Sequence, residues 1–145
     1  MNPCDRFLTG LTLLLIAVLS GCGGARYETT PLLGKVIKDG QPLPGVCVEF
    51  HPNPEADTKG PSAIGETDEN GFFNLRYALP GESTNQPGVL VGSHKVTLTD
   101  SRQEPPQQGS APPRSRIPEM YQGVHTTPLR LEVKQGMPAV EIEVK

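Results

Sequence analysis

From residue 33 to residue 144 the apolar side chains of this chain recur at every second position. They do so in runs of about six residues that end at glycine, proline or an Asp-Gly or Asn-Gly pair. A period of two puts one face of an extended strand on a core and the other in water, and it excludes an amphipathic helix, whose period is 3.6. In 46–51, Val46, Val48 and Phe50 share one face while Cys47, Glu49 and His51 share the other. The same alternation runs through 33–38, 62–67, 72–77 (Phe73, Leu75, Tyr77), 94–99 (Val96, Leu98), 129–134 and 139–144. Asp39-Gly40, Asn70-Gly71 and Gln135-Gly136 supply turns, because glycine accepts positive φ without steric cost. The pattern predicts one all-β sandwich of about seven strands. Residues 129–134 and 139–144 are expected to pair as a closing hairpin, 79–91 to form a loop, and 101–116, with its paired prolines, to form an extended connection.

The N-terminus has a different character. Behind Arg6, residues 7–19 form a 13-residue apolar run, suited to a secretory signal and short of the roughly 20 residues a spanning helix needs. Small residues follow, in Leu19-Ser20-Gly21-Cys22. This stretch resembles the lipobox of bacterial lipoproteins. The resemblance implies a diacylglycerol on the Cys22 thiol, cleavage between Gly21 and Cys22, and a fatty acyl group such as palmitate on the new amine. The expected organisation is a signal peptide at 1–21, a lipidated tether at 22–31 and a domain at 32–145. Localisation is then extracytoplasmic and membrane-anchored, and Gly23 in place of an aspartate favours the outer membrane. Of 145 residues, 124 remain after residue 21, enough for a single core. The nine tether residues 23–31 reach at most ~30 Å at 3.3–3.6 Å each.

The formal net charge of −3, without any run of Lys or Arg, argues against nucleic acid as a partner and against electrostatic docking on anionic lipid. Membrane attachment therefore rests on the lipid of Cys22. Of the three cysteines, Cys4 leaves with the signal and Cys22 is expected to be lipidated, so Cys47 has no disulfide partner in the mature chain. The sandwich must be held by its apolar strands.

A second resemblance covers residues 32 to 144. It is carried by Gly34-x-Val36, by Asp39-Gly40-x-Pro42-Leu43-x-Gly45-Val46-x-Val48-x-Phe50-His51-Pro52, and by Thr67-Asp68-x-x-Gly71-x-Phe73-x-Leu75. These residues resemble the carboxypeptidase regulatory-like domain, which implies a seven-stranded, transthyretin-like Greek-key sandwich. Ile117-Pro118-x-x-Tyr121 with the expected closing hairpin looks like the small lipoproteins of planctomycete-type bacteria that carry this domain. The matching positions are turns and core residues, so they speak for a fold and not for a chemistry. A transthyretin relative, the hydroxyisourate hydrolase, carries a terminal Tyr-Arg-Gly-Ser; here residues 141–145 read Glu-Ile-Glu-Val-Lys, so that assignment is rejected.

No catalytic constellation stands out. His51, His94 and His125 read as polar surface residues, no two of them at ligand spacing on one element. Cys47 and His51 share a face but lie about 13 Å apart along a strand, too far to hold one zinc or to form a nucleophile–base pair. Asp68-Glu69-Asn70-Gly71 reads as a turn in which Asp68 caps local N–H groups, without the spacing of a calcium loop. Arg102, Arg114 and Arg116 read as solvating their connection. The expectation is a non-enzyme without metal or cofactor: a structural or protein-interaction module facing envelope proteins or polysaccharide. The alternative is a small-ligand or carbohydrate-binding module, for which Tyr77 and Tyr121 are the aromatic candidates in a chain without Trp.

Overall fold

The computed structural model describes residues 27–103 and 114–145. The expected signal peptide, the Gly21–Cys22 cleavage and lipidation site, the tether through residue 26 and residues 104–113 lie outside them. Among the described residues the chain forms twelve strand segments. In order these are β1 (Thr29–Thr30), β2 (Leu33–Lys38), β3 (Gln41–Pro42), β4 (Val46–Pro52), β5 (Ala63–Glu66) and β6 (Phe72–Asn74). They continue with β7 (Arg76–Ala78), β8 (Asn85–Pro87), β9 (Val89–Leu90), β10 (Gly92–Asp100), β11 (Arg130–Val133) and β12 (Val140–Val144). The other regular elements are two short 3-10 turns, Pro54–Ala56 and Glu119–Tyr121.

The large sheet runs β11-β10-β4-β5-β7-β8, and the small one runs β12-β2-β3 with β6 also on β2. A two-stranded ribbon joins β1 to β9. The all-β, sandwich-like expectation holds, because the core draws on the inward faces of both sheets. Val46, Val48, Phe50, Val96 and Leu98 come from the large one; Val36, Phe73, Val140, Ile142 and Val144 come from the small one. The rings of Phe50 and Phe73 meet between the sheets with centroids 6.4 Å apart, tilted by 48°, a geometry favoured by their quadrupoles. Asp39 and Gly40, with φ of 50° and 76°, turn β2 directly into β3.

Three expectations about pairing are corrected. Residues 72–77 do not form one strand: β6 pairs with β2 in the small sheet and β7 with β5 in the large one, and buried Leu75 carries the chain between them. Residues 79–91 hold β8 and β9 within the expected loop. Asn85-Gln86-Pro87 pairs with β7 through its backbone, and its polar side chains give no apolar alternation to read. The closing hairpin does not form either. β11 lies antiparallel to β10 in the large sheet, while β12 lies parallel to β2 in the small one. The turn at Gln135-Gly136, with Gly136 at φ 66°, carries the chain from one sheet to the other. Alternation fixes which face of a strand is buried, and both arrangements bury the same face.

The registers also give the domain two ends. Glu28 accepts from the Val91 amide and the Thr30 hydroxyl accepts from the Gly136 amide, so the chain enters beside Gly92, the first residue of β10. Val46, Thr67 and Ser101 gather at the other end, around Asp100. The two are separated by the nine residues of β10, about 26 Å at 3.3 Å per residue.

Candidate interaction surface

At the end remote from the chain's entrance, Asp100 is buried and is held by Arg116. The Nε of Arg116 donates to Oδ2 at 3.0 Å, its Nη2 to Oδ1, and its backbone N–H to Oδ2 at 3.1 Å. Lys38 Nζ donates to the Arg116 carbonyl at 2.7 Å, tying the small sheet to this segment. The hydrogen bond from the Arg116 side chain holds the Asp100 carboxyl below its usual range, against the opposing effect of burial. Arg116 therefore does not merely solvate a loop; it partners a buried carboxylate. Arg102 forms an exposed pair with Glu69 at 2.6 Å, and Arg114 is exposed as expected. Beside them lies a cavity of about 440 Å³ whose lining includes Arg114, Ser115, Ile117, Glu119 and Gln122.

The histidines separate into three environments. His125 is exposed. His51 lies half-buried on the outer face of the large sheet, with Nε2 2.9 Å from the Thr97 hydroxyl and Nδ1 3.3 Å from that of Ser62. His94 contradicts the surface reading. It is fully buried, in phase with Val96 and Leu98, its ring centroid 5.8 Å from that of Phe50. Its Nδ1 lies 3.0 Å from the Gly92 carbonyl, which can only accept, so the proton sits on Nδ1. Its Nε2 is buried and has no hydrogen-bond partner among the described residues. Burial lowers the His94 pKa, which favours the neutral ring.

Cys47 is half-buried, opposite Glu66 and Thr99 in the sheet. Burial pushes its thiol pKa up, and Glu49 and Glu66 push it further, the reverse of an activated nucleophile. Asp68 behaves as read: its Oδ1 accepts from the Asn70 and Phe72 amides, both at 2.9 Å, and Gly71 sits at φ 76°. Among the described residues no three His, Cys, Asp or Glu side chains converge as metal ligands. Tyr121 is buried, with its hydroxyl 3.4 Å from the Lys145 amide, and Tyr77 is half-buried against the core. Neither stands clear as a stacking platform for a sugar.

One side of the sandwich is open. β11 ends the large sheet and β12 ends the small one, each with a single strand neighbour among the described residues. Between these lips runs a groove of about 180 Å³, floored by Val96, Leu129, Leu131 and Ile142. Leu129 and Leu131 are half-buried, so apolar surface there still meets water. The lips differ in charge. Arg130 on β11 turns its Nη1 back onto the Thr127 and Leu129 carbonyls, at 2.7 and 3.1 Å. Glu141 and Glu143 on β12 are exposed and take no ion pair among the described residues. Sequence reading missed this groove because it placed the two strands side by side. Comparison with family models, curated proteins and solved structures finds no match for this chain.

Proposed function

We propose that this chain is an envelope lipoprotein of a bacterium, held at the membrane by lipid on Cys22, whose domain is a structural or protein-interaction module without catalysis. The finer fold reading, a carboxypeptidase regulatory-like, transthyretin-like Greek-key sandwich, belongs to the same proposal and rests on the turn and core motifs quoted above. The observation that carries it is the open side, where both sheets end together over a half-covered apolar groove. Unpaired sheet edges are templates for another chain, and proteins that do not use them commonly blunt them. Lipid anchoring at Cys22 by two or three acyl chains gives stable attachment, where a single chain would hold only marginally and reversibly. Gly23 favours the outer membrane.

The test is photo-crosslinking in intact membranes, with a crosslinking amino acid at Glu143 on the open lip or at exposed Glu82. Adducts with an envelope protein from Glu143 and none from Glu82 are expected. Equal labelling from both positions, or none from either, overturns the reading. The alternative, a small-ligand or polysaccharide module, is favoured by the 440 Å³ cavity, whose size lies within the range of ligand pockets. Saturable glycan binding lost in Gln122→Ala would support it over the first.

A further inference from the structure

We infer that the open lip of β12 accepts an extended peptide as an added strand, with apolar residues alternating with Lys or Arg. The inference rests on the interaction-module reading and names the chemistry of the partner. A strand laid beside β12 would alternate as β12 does. Its inward side chains would fall beside buried Ile142 and on Leu129 and Leu131, the two groove residues that the domain leaves half exposed. Its outward side chains would stand beside Glu141 and Glu143 on the side away from β2, whose Lys35 is in register with Glu141. Neither carboxylate makes an ion pair among the described residues, so cations on the added strand would supply one to each.

The same charges argue against a second copy of the chain. Antiparallel pairing of two β12 strands about Ile142 would set Glu141 opposite the other copy's Glu143, and like charges directly opposed are destabilising. The other ends of the two sheet paths and the β11 lip are poorer templates. β3 is two residues long and ends in Pro42, β8 is three residues long and ends in Pro87, and proline removes a backbone donor. β11 is four residues long, and its first residue, Arg130, already sets a cation at that edge, turned back onto the Thr127 and Leu129 carbonyls just before the strand. β12 offers five residues without proline, above a groove too small for most free ligands. In strand addition the backbone bonds give affinity and the alternating side chains give selectivity.

The experiment uses the full chain purified in detergent and three capped synthetic hexapeptides. One alternates Lys and Val, one alternates Glu and Val, and the third is the Lys-Val peptide with alternate backbone nitrogens methylated. Fluorescence anisotropy reads binding, and hydrogen exchange locates it. The Lys-Val peptide is expected to bind saturably, to slow exchange in Val140–Val144, and to weaken as salt rises. Glu141→Gln with Glu143→Gln should weaken it by roughly five- to tenfold, as for two exposed ion pairs, with the thermal unfolding midpoint kept. The methylated peptide should not bind. Equal binding of the Glu-Val peptide, unchanged affinity in the double variant, protection elsewhere in the sheet, or no binding overturns the inference. Should the peptide fail while Glu143 still crosslinks an envelope protein, the strand chemistry falls and the module reading stands. The opposite pair of results removes the module reading and keeps the strand site.

Discussion

The guanidinium of Arg116 reaches across sixteen residues to hold both carboxylate oxygens of buried Asp100, and its Nη2 also donates to the Gly45 carbonyl at 3.3 Å. One contact thereby fixes the last residue of β10, the loop before β4 and the segment that follows residues 104–113. Asp100→Asn or Arg116→Ala should cost about 1.5–3 kcal/mol, the range for hydrogen bonds to charged groups. The lower part of that range is expected because Arg116 is about one-third exposed and screened by solvent. The folded pKa of Asp100 is depressed, so its contribution is complete above the unfolded value of about 3.9 and disappears as pH falls through the folded one. Urea unfolding at pH 7 and at pH 3 checks this: the gap between wild type and Asp100→Asn should narrow in acid. A gap that does not change with pH would contradict the assignment.

His94 acts in a higher pH window. Its folded pKa is lowered by burial, so below about pH 6.5 the unfolded chain takes up a proton that the folded one refuses. Stability should fall by up to about 1.4 kcal/mol per pH unit from 6.5 down to the folded pKa. Of the titratable neighbours that act on it, Glu132 raises its pKa and His51 lowers it. His94→Phe keeps a ring beside Phe50 and removes the orphaned Nε2. That variant should be less sensitive than wild type between pH 7 and pH 5 in thermal unfolding. If both lose stability in parallel over that interval, His94 is not the responsible group.

Phe73 roofs Gly34, its cross-strand partner in the small sheet. A Cβ at Gly34 would come within 2.0 Å of the ring's Cζ, and the ring, 1% exposed, has no route into water. Gly34→Ala should therefore destabilise by about 1–3 kcal/mol through overpacking. In Gly34→Ala with Phe73→Leu the smaller side chain makes room, so the combined cost should be smaller than the sum of the two single costs. Chemical denaturation of the four chains checks this, and simple additivity would show that the two residues do not compete for the same space.

These relationships separate what the sequence displays from what it conceals. The alternation in 46–51 and 94–99 named the buried residues of β4 and β10, because a period of two reports the face directly. His94 fell on the buried face of that alternation, yet its polarity argued for the surface; its Nδ1–H bond to the Gly92 carbonyl, two residues away, is what lets it enter the core. The neighbours of β11 and β12 were not legible, since strands that face each other across a core alternate as paired strands do. Asp100 and Arg116 are joined by a fold-dependent contact, so the sequence showed Arg116 only as a charged residue of the 101–116 connection, with no sign of its partner. The groove followed from topology alone, while Glu141 and Glu143 on its lip were plainly outward from their alternation with Val140, Ile142 and Val144.

The lipid anchor proposed at Cys22 and the half-buried Cys47 make a joint prediction about thiols. If Cys22 carries a thioether-linked lipid and Cys4 has been removed with the signal, the chain purified from membranes retains one titratable thiol, that of Cys47. In denaturant it should react once with a thiol reagent. In the native protein at pH 8 that reaction should be slower than for an unhindered cysteine. Burial and the adjacent carboxylates of Glu49 and Glu66 raise the Cys47 pKa, and the thiolate is the reactive form. Glu66→Gln removes one of those charges and should speed the native reaction modestly, without changing the count. Cys22→Ser blocks lipid attachment and, on the lipobox reading, signal removal, so that chain keeps Cys4 and Cys47 and should titrate two thiols. Its mass should lack the lipid and retain residues 1–21. Intact-mass spectrometry and thiol titration of both chains decide the matter: a second free thiol in the wild-type chain purified from membranes would remove the lipid anchor from this account.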